Sequence, residues 1–331
     1  SEEDIAHRVI YVEASRGCPF KCEFCLSSLD KTAVAFDTTA FLAAMLALIQ
    51  RGARRFKFVD RTFNLKIETS VRIMEFFLRH MDKGLFLHFE LIPDRLPDAI
   101  KQLVARFPAG SLQFEIGIQT FNANVQNIIS RRQQDSAVKE NLRWLRQNSQ
   151  AHIHADLIVG LPGEHEASFA DGFNQLVQLD PHEIQVGILK RLRGTPIIRH
   201  TEAYAMKYNP HAPYNVLSTH LMDFTTLQCL QRFARYWDML ANSGRFNHSI
   251  SSILSDNPYH RFKLFSAALY ARVGRTHQIA LPTLFELTFE IMTVTLGLDA
   301  ATARRCLWLD YQKTGLKAYP KFMLNVAKDN L

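Results

Sequence analysis

The stretch Ile10-Tyr-Val-Glu-Ala-Ser-Arg-Gly-Cys-Pro-Phe-Lys-Cys-Glu-Phe-Cys-Leu26 decides how the rest of the chain is read. Its opening, Ile10 to Glu13, has the branched and aromatic character of a short strand. That strand runs straight into a loop carrying Cys18, Cys22 and Cys25 at the spacing C-x3-C-x2-C. Thiols this close together, in a chain with an odd total of five cysteines, point to metal or redox chemistry rather than to a disulfide framework. A four-iron cluster takes four ligands, usually thiolates. Three local cysteines therefore leave one iron open to a small molecule. A closed zinc site is the rival and needs a fourth ligand, for which His7, Cys229 and Cys306 are candidates by elimination. Cys229 and Cys306 sit among apolar helical neighbours and read more simply as structural thiols.

Working outward, short apolar strands alternate with amphipathic helical stretches up to about residue 195. The strands are expected near Ile10–Glu13, Arg55–Val59, Phe86–Leu91, Leu112–Ile118, His152–Val159 and Glu183–Leu189, the helices near Thr39–Arg51, Thr69–Met81, Asp98–Phe107, Val138–Gln147 and Glu166–Leu179. Asp37 and Thr38 suit the cap of the first helix. Six βα units predict an α/β fold, a partial (β/α)6 barrel of TIM type. After the Arg193-Gly-Thr-Pro196 loop the pattern turns helical, near Ser218–Ala241, Tyr259–Val273, Pro282–Leu296 and Asp299–Tyr311. Two domains are expected, a catalytic core over 1–200 and a helical domain over 201–331.

Side chains alternate across a strand, so polar residues at spacing two within apolar strands mark a polar interior face. Four strands show this: Phe56, Phe58 and Asp60; His88 and Glu90; Glu115, Gly117 and Gln119; His152, His154 and Asp156. The C-terminal ends of barrel strands are where chemistry gathers. The simplest alternative is that individual members are satisfied core groups. A second metal site on His152, His154 and Asp156 is a further alternative.

Composition excludes some classes. With 331 residues, 47% of them apolar, the chain can bury a substantial core and is not a disordered segment. It has no apolar run long enough for a membrane span and no secretory leader at residues 1–10, which predicts a cytoplasmic protein with no membrane partner. The +7 net charge reads first as a solvated basic face and leaves a nucleic-acid partner open.

With Phe24 before the third cysteine, the loop resembles the signature of the radical S-adenosylmethionine (SAM) superfamily. Phe114-Glu-Ile-Gly-Ile-Gln-Thr-Phe-Asn122 and Asp156-Leu-Ile-Val-Gly-Leu-Pro-Gly-Glu164 resemble the fourth- and fifth-strand motifs of members related to oxygen-independent coproporphyrinogen oxidase and the methylthiotransferases. The resemblance implies a [4Fe-4S] cluster on Cys18, Cys22 and Cys25. It also implies reductive cleavage of SAM to a 5′-deoxyadenosyl radical, with electrons from a flavodoxin- or ferredoxin-type donor. By the same resemblance Glu90, Gln119, Arg131 and Asp156 hold SAM, Phe24 and Ile158 flank adenine, and Gly160 permits close packing there. The family's second-strand Gly-Gly-Glu is absent. Phe58-Val-Asp-Arg61 stands in its place and offers Asp60 as a contact to the SAM amino group.

The Tyr11–Phe20 leader, the Cys25-Leu-Ser-Ser28 tail, His88-Phe-Glu90 and the Arg193 loop resemble cobalamin-binding radical SAM proteins with a C-terminal domain of unknown function. That likeness implies cobalamin, carried by a domain or subunit outside this sequence, and methyl transfer as one of several reactions. The Ser1 start fits a chain that is the catalytic half of a longer protein. Transfer-RNA modification is the competing enzyme reading, and a zinc-stabilised binding protein the competing reading of another class. Tyr204, Tyr259, His260 and Trp308 are candidate walls of a substrate mouth, against the plainer expectation that they are core.

Overall fold

The computed structural model describes residues 2–30 and 32–323. The outer limits of the two expected domains, residue 1 and residues 324–331, lie outside the described residues.

Six parallel strands form one sheet in sequence order: β1 (Val9–Val12), β2 (Arg55–Phe58), β3 (Phe86–Leu91), β4 (Leu112–Gln119), β5 (His152–Val159) and β6 (Glu183–Ile188). The crossovers run through α1 (Thr38–Gln50), α2 (Ile67–Leu78), α3 (Asp98–Val104), the pair α4 (Ala123–Ile128) and α5 (Asp135–Asn148), and then α6 (Glu166–Gln178). Because β1 and β6 do not pair, the sheet is a partial barrel, as the alternation predicts. Asp37 caps α1, accepting from Ala40 N at 2.6 Å, while Thr38 is already its first helical residue. The short α4 had no counterpart in the sequence reading, since six residues span too few turns to show a period.

One face of the sheet is apolar and dry. Phe56, Phe58, Phe89 and Phe114 are fully buried there, with ring centroids of Phe58 and Phe89 4.4 Å apart and of Phe63 and Phe89 4.0 Å apart. The other face lines the barrel interior, and its register sets polar side chains side by side. Lys57 pairs with His88, Glu90 with Glu115, Glu115 with His154 and Gly117 with Asp156, and His154 with Glu183. The period-two reading therefore holds for β3, β4 and β5. In β2 it is corrected by one position: Phe56 and Phe58 face the helices and Lys57 faces the interior. A shift of one residue exchanges the two faces of a strand, and two adjacent aromatic positions at the same spacing masked the polar set.

Beyond β6 the chain is mostly helical, with α7 (Phe224–Trp237), α8 (Asn247–Leu254), α9 (Pro258–Val273), α10 (Leu281–Glu290) and α11 (Ala300–Gln312). Single π-helical turns extend α7 to Asn242 and α10 to Thr295. The expected helix from Ser218 begins six residues later, because Val216–Ser218 pairs with Lys207–Tyr208 as a small hairpin. Asp223 caps α7 by accepting from Thr226 N. Aromatic packing joins these helices to the sheet layer: Phe173 of α6 meets Trp237 with centroids 4.8 Å apart, and Tyr259 Oη donates to Glu166 Oε1 at 2.7 Å. The outer edge of β6 is also occupied. The Asn242 amide donates to Ile184 O and accepts from Ile184 N, at 3.0 and 3.1 Å. At the opposite edge, β1 leaves Tyr11 67% and Val9 44% exposed. Among the described residues no helix is long and apolar enough to cross a membrane.

Candidate active site

The loop after β1 is held in place by its own sequence. Gly17 has φ +92°, and a Cβ there would lie 1.8 Å from Thr32 O, so only glycine allows the two strands of this loop to pass. Asp60, at the end of β2, accepts from Ala14 N at 2.9 Å and from Ser15 Oγ at 2.6 Å. Glu23, between the second and third cysteines, is 1% exposed. It accepts from Ser130 Oγ and His200 Nε2, each at 2.6 Å, and from Arg199. Two backbone bonds run beside it, Glu23 N to Ile129 O and Ile197 N to Glu23 O. The cysteine loop is thereby fastened both to the turn before Arg131 and to the segment that follows Arg193.

Cys18, Cys22 and Cys25 line one wall of a cavity of about 240 Å³ at the C-terminal ends of the strands, many times the roughly 30 Å³ share of one water. Phe24, Glu90, Gln119, Arg131 and Asp156 line the same cavity. Five of the eight expected SAM contacts are thus brought together with the three thiols. The other three are not. Asp60 does not line the cavity, and both its oxygens are engaged behind the cysteine loop. Ile158 lies on the interior face but packs against the core. Gly160, at φ +85°, would place a Cβ 2.6 Å from Val216 Cγ1, so its missing side chain admits the segment before α7 rather than a ligand.

Arg61 occupies the inward place that the sequence reading gave to Asp60. Its Nη1 donates to both oxygens of Glu90, at 2.9 and 3.1 Å. The one-residue slip in β2 hid it, since Lys57, Val59 and Arg61 are the inward set. Glu115 also lines the cavity and is bonded by His88 Nε2 at 3.1 Å and Lys57 Nζ at 3.4 Å. The His88 hydrogen bond outweighs burial and, with the Lys57 charge, holds its carboxyl down to about 2. Burial pushes Glu90 up, against the pull of Arg61.

At the end of β4 the register shifts between Gly117 and Gln119, and Gln119 takes φ +70°. Such a bulge re-aims a side chain at a strand end. Gly117 leaves room for it, because a Cβ there would meet Gln119 Nε2 at 2.5 Å. Arg131 donates to Gly117 O, and its Nη1 lies 3.7 Å from Cys22 Sγ.

Donor chemistry at this cavity fits an iron–sulfur cluster beside a zwitterionic ligand. Three thiols on one cavity wall would supply the cluster's protein ligands and leave one iron open to that ligand. Burial pushes the Cys18 and Cys22 thiols up, and Arg131 pulls Cys22 back. Facing them are carboxylates that suit an ammonium or hydroxyl groups, and Arg131, which suits a carboxylate. Asp156 Oδ1 is buried 3.1 Å from His154 Nε2 without an aligned hydrogen bond, and the carboxyl group lines the cavity.

Other expected residues stand apart. Among the described residues no three His, Cys, Asp or Glu side chains gather for a metal ion, and both ring nitrogens of His154 face carboxylates, which removes the second metal site on β5. Tyr204, Tyr259, His260 and Trp308 do not line the cavity. Tyr259 is buried against α6, and Trp308 stacks on Tyr319. Cys229 and Cys306 also lie outside it.

The radical SAM superfamily profile matches residues 12–176, and a family of proteins of unknown function (DUF4080) matches residues 202–330. Two curated relatives are oxygen-independent coproporphyrinogen III oxidases. That of Synechocystis is 34% identical over 77 residues, 23% of this chain and 16% of that protein. That of Paracoccus denitrificans is 28% identical over 102 residues, 31% of this chain and 22% of that protein. The matches thus span less than a quarter of either relative.

Among solved structures, the radical SAM methyltransferase TsrM of Kitasatospora setae, with tryptophan substrate and a SAM analogue bound, has TM-score 0.55 at 16% identity, over 64% of this chain and 43% of that one. Coproporphyrinogen III oxidase (HemN) of Escherichia coli has TM-score 0.50 at 16% identity, over 100% of this chain and 86% of that one. OxsB, a cobalamin-dependent SAM radical enzyme with aqua-cobalamin and SAM bound, has TM-score 0.53 at 12% identity, over 96% and 57%. At these identities the likeness is one of fold. With its cysteine loop, its strand order and the match over residues 12–176, the chain belongs to the radical SAM superfamily of enzymes, which implies a [4Fe-4S] cluster and SAM as cofactors.

Proposed function

We propose that Cys18, Cys22 and Cys25 hold the [4Fe-4S] cluster and that Glu90, Gln119, Arg131 and Asp156, with Phe24, hold SAM against it. The observation that carries this reading is that three thiols and these side chains line one cavity. When bound, the reduced cluster supplies the electron that cleaves SAM to methionine and a 5′-deoxyadenosyl radical, which removes hydrogen from a substrate. The chain's own part is positional. Arg131 pairs with the SAM carboxylate, Asp156 and Glu90 take its amino group or ribose hydroxyls, and the Glu23 clasp fixes the cysteine loop. Residues 1–200 act as the catalytic core and 201–331 as a helical domain beside it.

For the overall reaction we favour cobalamin-dependent methyl transfer, with cobalamin carried by a domain or subunit outside this sequence. The fold likeness to TsrM and OxsB and the leader and Arg193-loop resemblance support it. The local identity to coproporphyrinogen oxidases favours a second reading, hydrogen abstraction without cobalamin. The test is anaerobic iron–sulfur reconstitution followed by measurement of 5′-deoxyadenosine from SAM under a chemical reductant, with and without cobalamin. Cluster absorption and SAM cleavage are expected, both lost in Cys22→Ala. Zinc in place of iron with no cleavage would overturn the proposal, and turnover unaffected by cobalamin when the domain or subunit that carries it is also present would select the second reading.

A further inference from the structure

Four side chains form a string across the barrel interior. His152 Nε2 lies 2.9 Å from Glu183 Oε1, Glu183 Oε2 lies 3.0 Å from His154 Nδ1, and His154 Nε2 lies 3.1 Å from Asp156 Oδ1. Only the last residue lines the cavity. A neutral imidazole presents one N–H and one lone pair, so a ring with a carboxylate at each nitrogen is accommodated as the doubly protonated cation. The contact to Asp156 is an ion pair rather than an aligned hydrogen bond, and both atoms keep unfilled hydrogen-bonding capacity.

We infer that His154, backed by Glu183, is a positioning residue that keeps the Asp156 carboxylate oriented and ionised toward the ligand in the cavity. The inference rests on the reading that Asp156 contacts SAM. Its physical basis is the cost of a buried charge, which a carboxylate sheds by taking up a proton unless a cation stands close. Burial is the largest influence on Asp156 and pushes it up. His154 on its own strand opposes that, Glu115 on β4 adds to it, and Arg131 beyond α4 opposes it. Burial alone would lower His154, but its contacts with the Asp156 and Glu183 carboxyl groups together dominate and raise it to about 10. The string thus sets the His154 cation between two carboxyl groups, and its end at the cavity is Asp156.

The test is SAM binding to the reconstituted protein without reductant, followed by calorimetry from about pH 6 to 8, where a neutral-range carboxyl would titrate. Wild type is expected to bind with a flat profile. In His154→Gln the cation is gone, so Asp156 protonates as pH falls. SAM should bind about tenfold more weakly at the acid end, the size of one lost charge-assisted contact, and should recover at the alkaline end. Glu183→Gln, which leaves the ring in place, should show the same slope at smaller amplitude and serves if His154→Gln does not fold. Asp156→Asn should bind weakly at every pH. Weak binding by Asp156→Asn with a flat, wild-type profile in His154→Gln and Glu183→Gln would overturn the inference while leaving the SAM reading intact. A pH-independent loss in His154→Gln would also overturn it, as a merely structural effect. Wild-type binding by Asp156→Asn would overturn both.

Discussion

Replacing Glu23 with alanine should cost this fold more than any exposed ion pair would. Its carboxylate is 1% exposed and accepts from Ser130 Oγ and His200 Nε2 at 2.6 Å each, with Arg199 as a third partner. The His200 side chain is 14% exposed and loses a buried hydrogen-bond partner, whereas Arg199 is 61% exposed and regains water. Charge-assisted bonds of the buried kind contribute about 1.5–3 kcal/mol each, and Arg199 adds little because solvent screens it. Truncation should therefore destabilise by about 3–5 kcal/mol. Anaerobic urea unfolding of the cluster-free protein measures this, with Arg199→Ala expected to cost less than about 1 kcal/mol. Iron bound per chain after reconstitution should fall in parallel, since the cysteine loop loses the side-chain ties made through Glu23. A Glu23→Ala protein within about 1 kcal/mol of wild type and fully loaded with iron would refute the reasoning.

Gly160→Ala should destabilise by about 1–3 kcal/mol, from its φ of +85° and the 2.6 Å approach to Val216, with SAM affinity unchanged. Lost affinity at unaltered stability would return Gly160 to the ligand. Glu164 is 1% exposed, accepts from Thr120 Oγ1 at 2.6 Å, and is pushed up to about 7 by burial. Because its folded value lies above its unfolded one, the stability it confers is full below the usual carboxylate range and is lost as pH rises through about 7. Glu164→Gln should accordingly be more stable than wild type by about 1–3 kcal/mol near pH 8 and match it near pH 5. Unfolding curves separated equally at both pH values would sink that account.

How much of this was legible in the chain depends on how local each signal is. The thiol spacing and the alternation in β3, β4 and β5 lie within a few residues, so the cluster loop and the inward positions of Glu90, Glu115 and Asp156 could be read directly. In β2 the pattern was ambiguous, because Phe56 and Phe58 alternate as regularly as Lys57 and Arg61 do. Phase cannot be recovered from one strand without its neighbours. The Gln119 bulge left no periodic trace. The Glu23 clasp was out of reach for another reason: its partners His200 and Ser130 lie 177 and 107 positions away, and nothing local marks a glutamate in a cysteine loop as buried.

The two edges of the sheet give the molecule a direction of growth. A strand edge with unpaired backbone groups is a template for another strand. At β6 that template is blanked by the Asn242 amide, which takes both backbone groups of Ile184. At β1, among the described residues, no strand lies along the outer side, and Tyr11 and Val9 stand exposed. A strand that lengthened this sheet would find the open edge at β1, on the flank from which the cysteine loop departs.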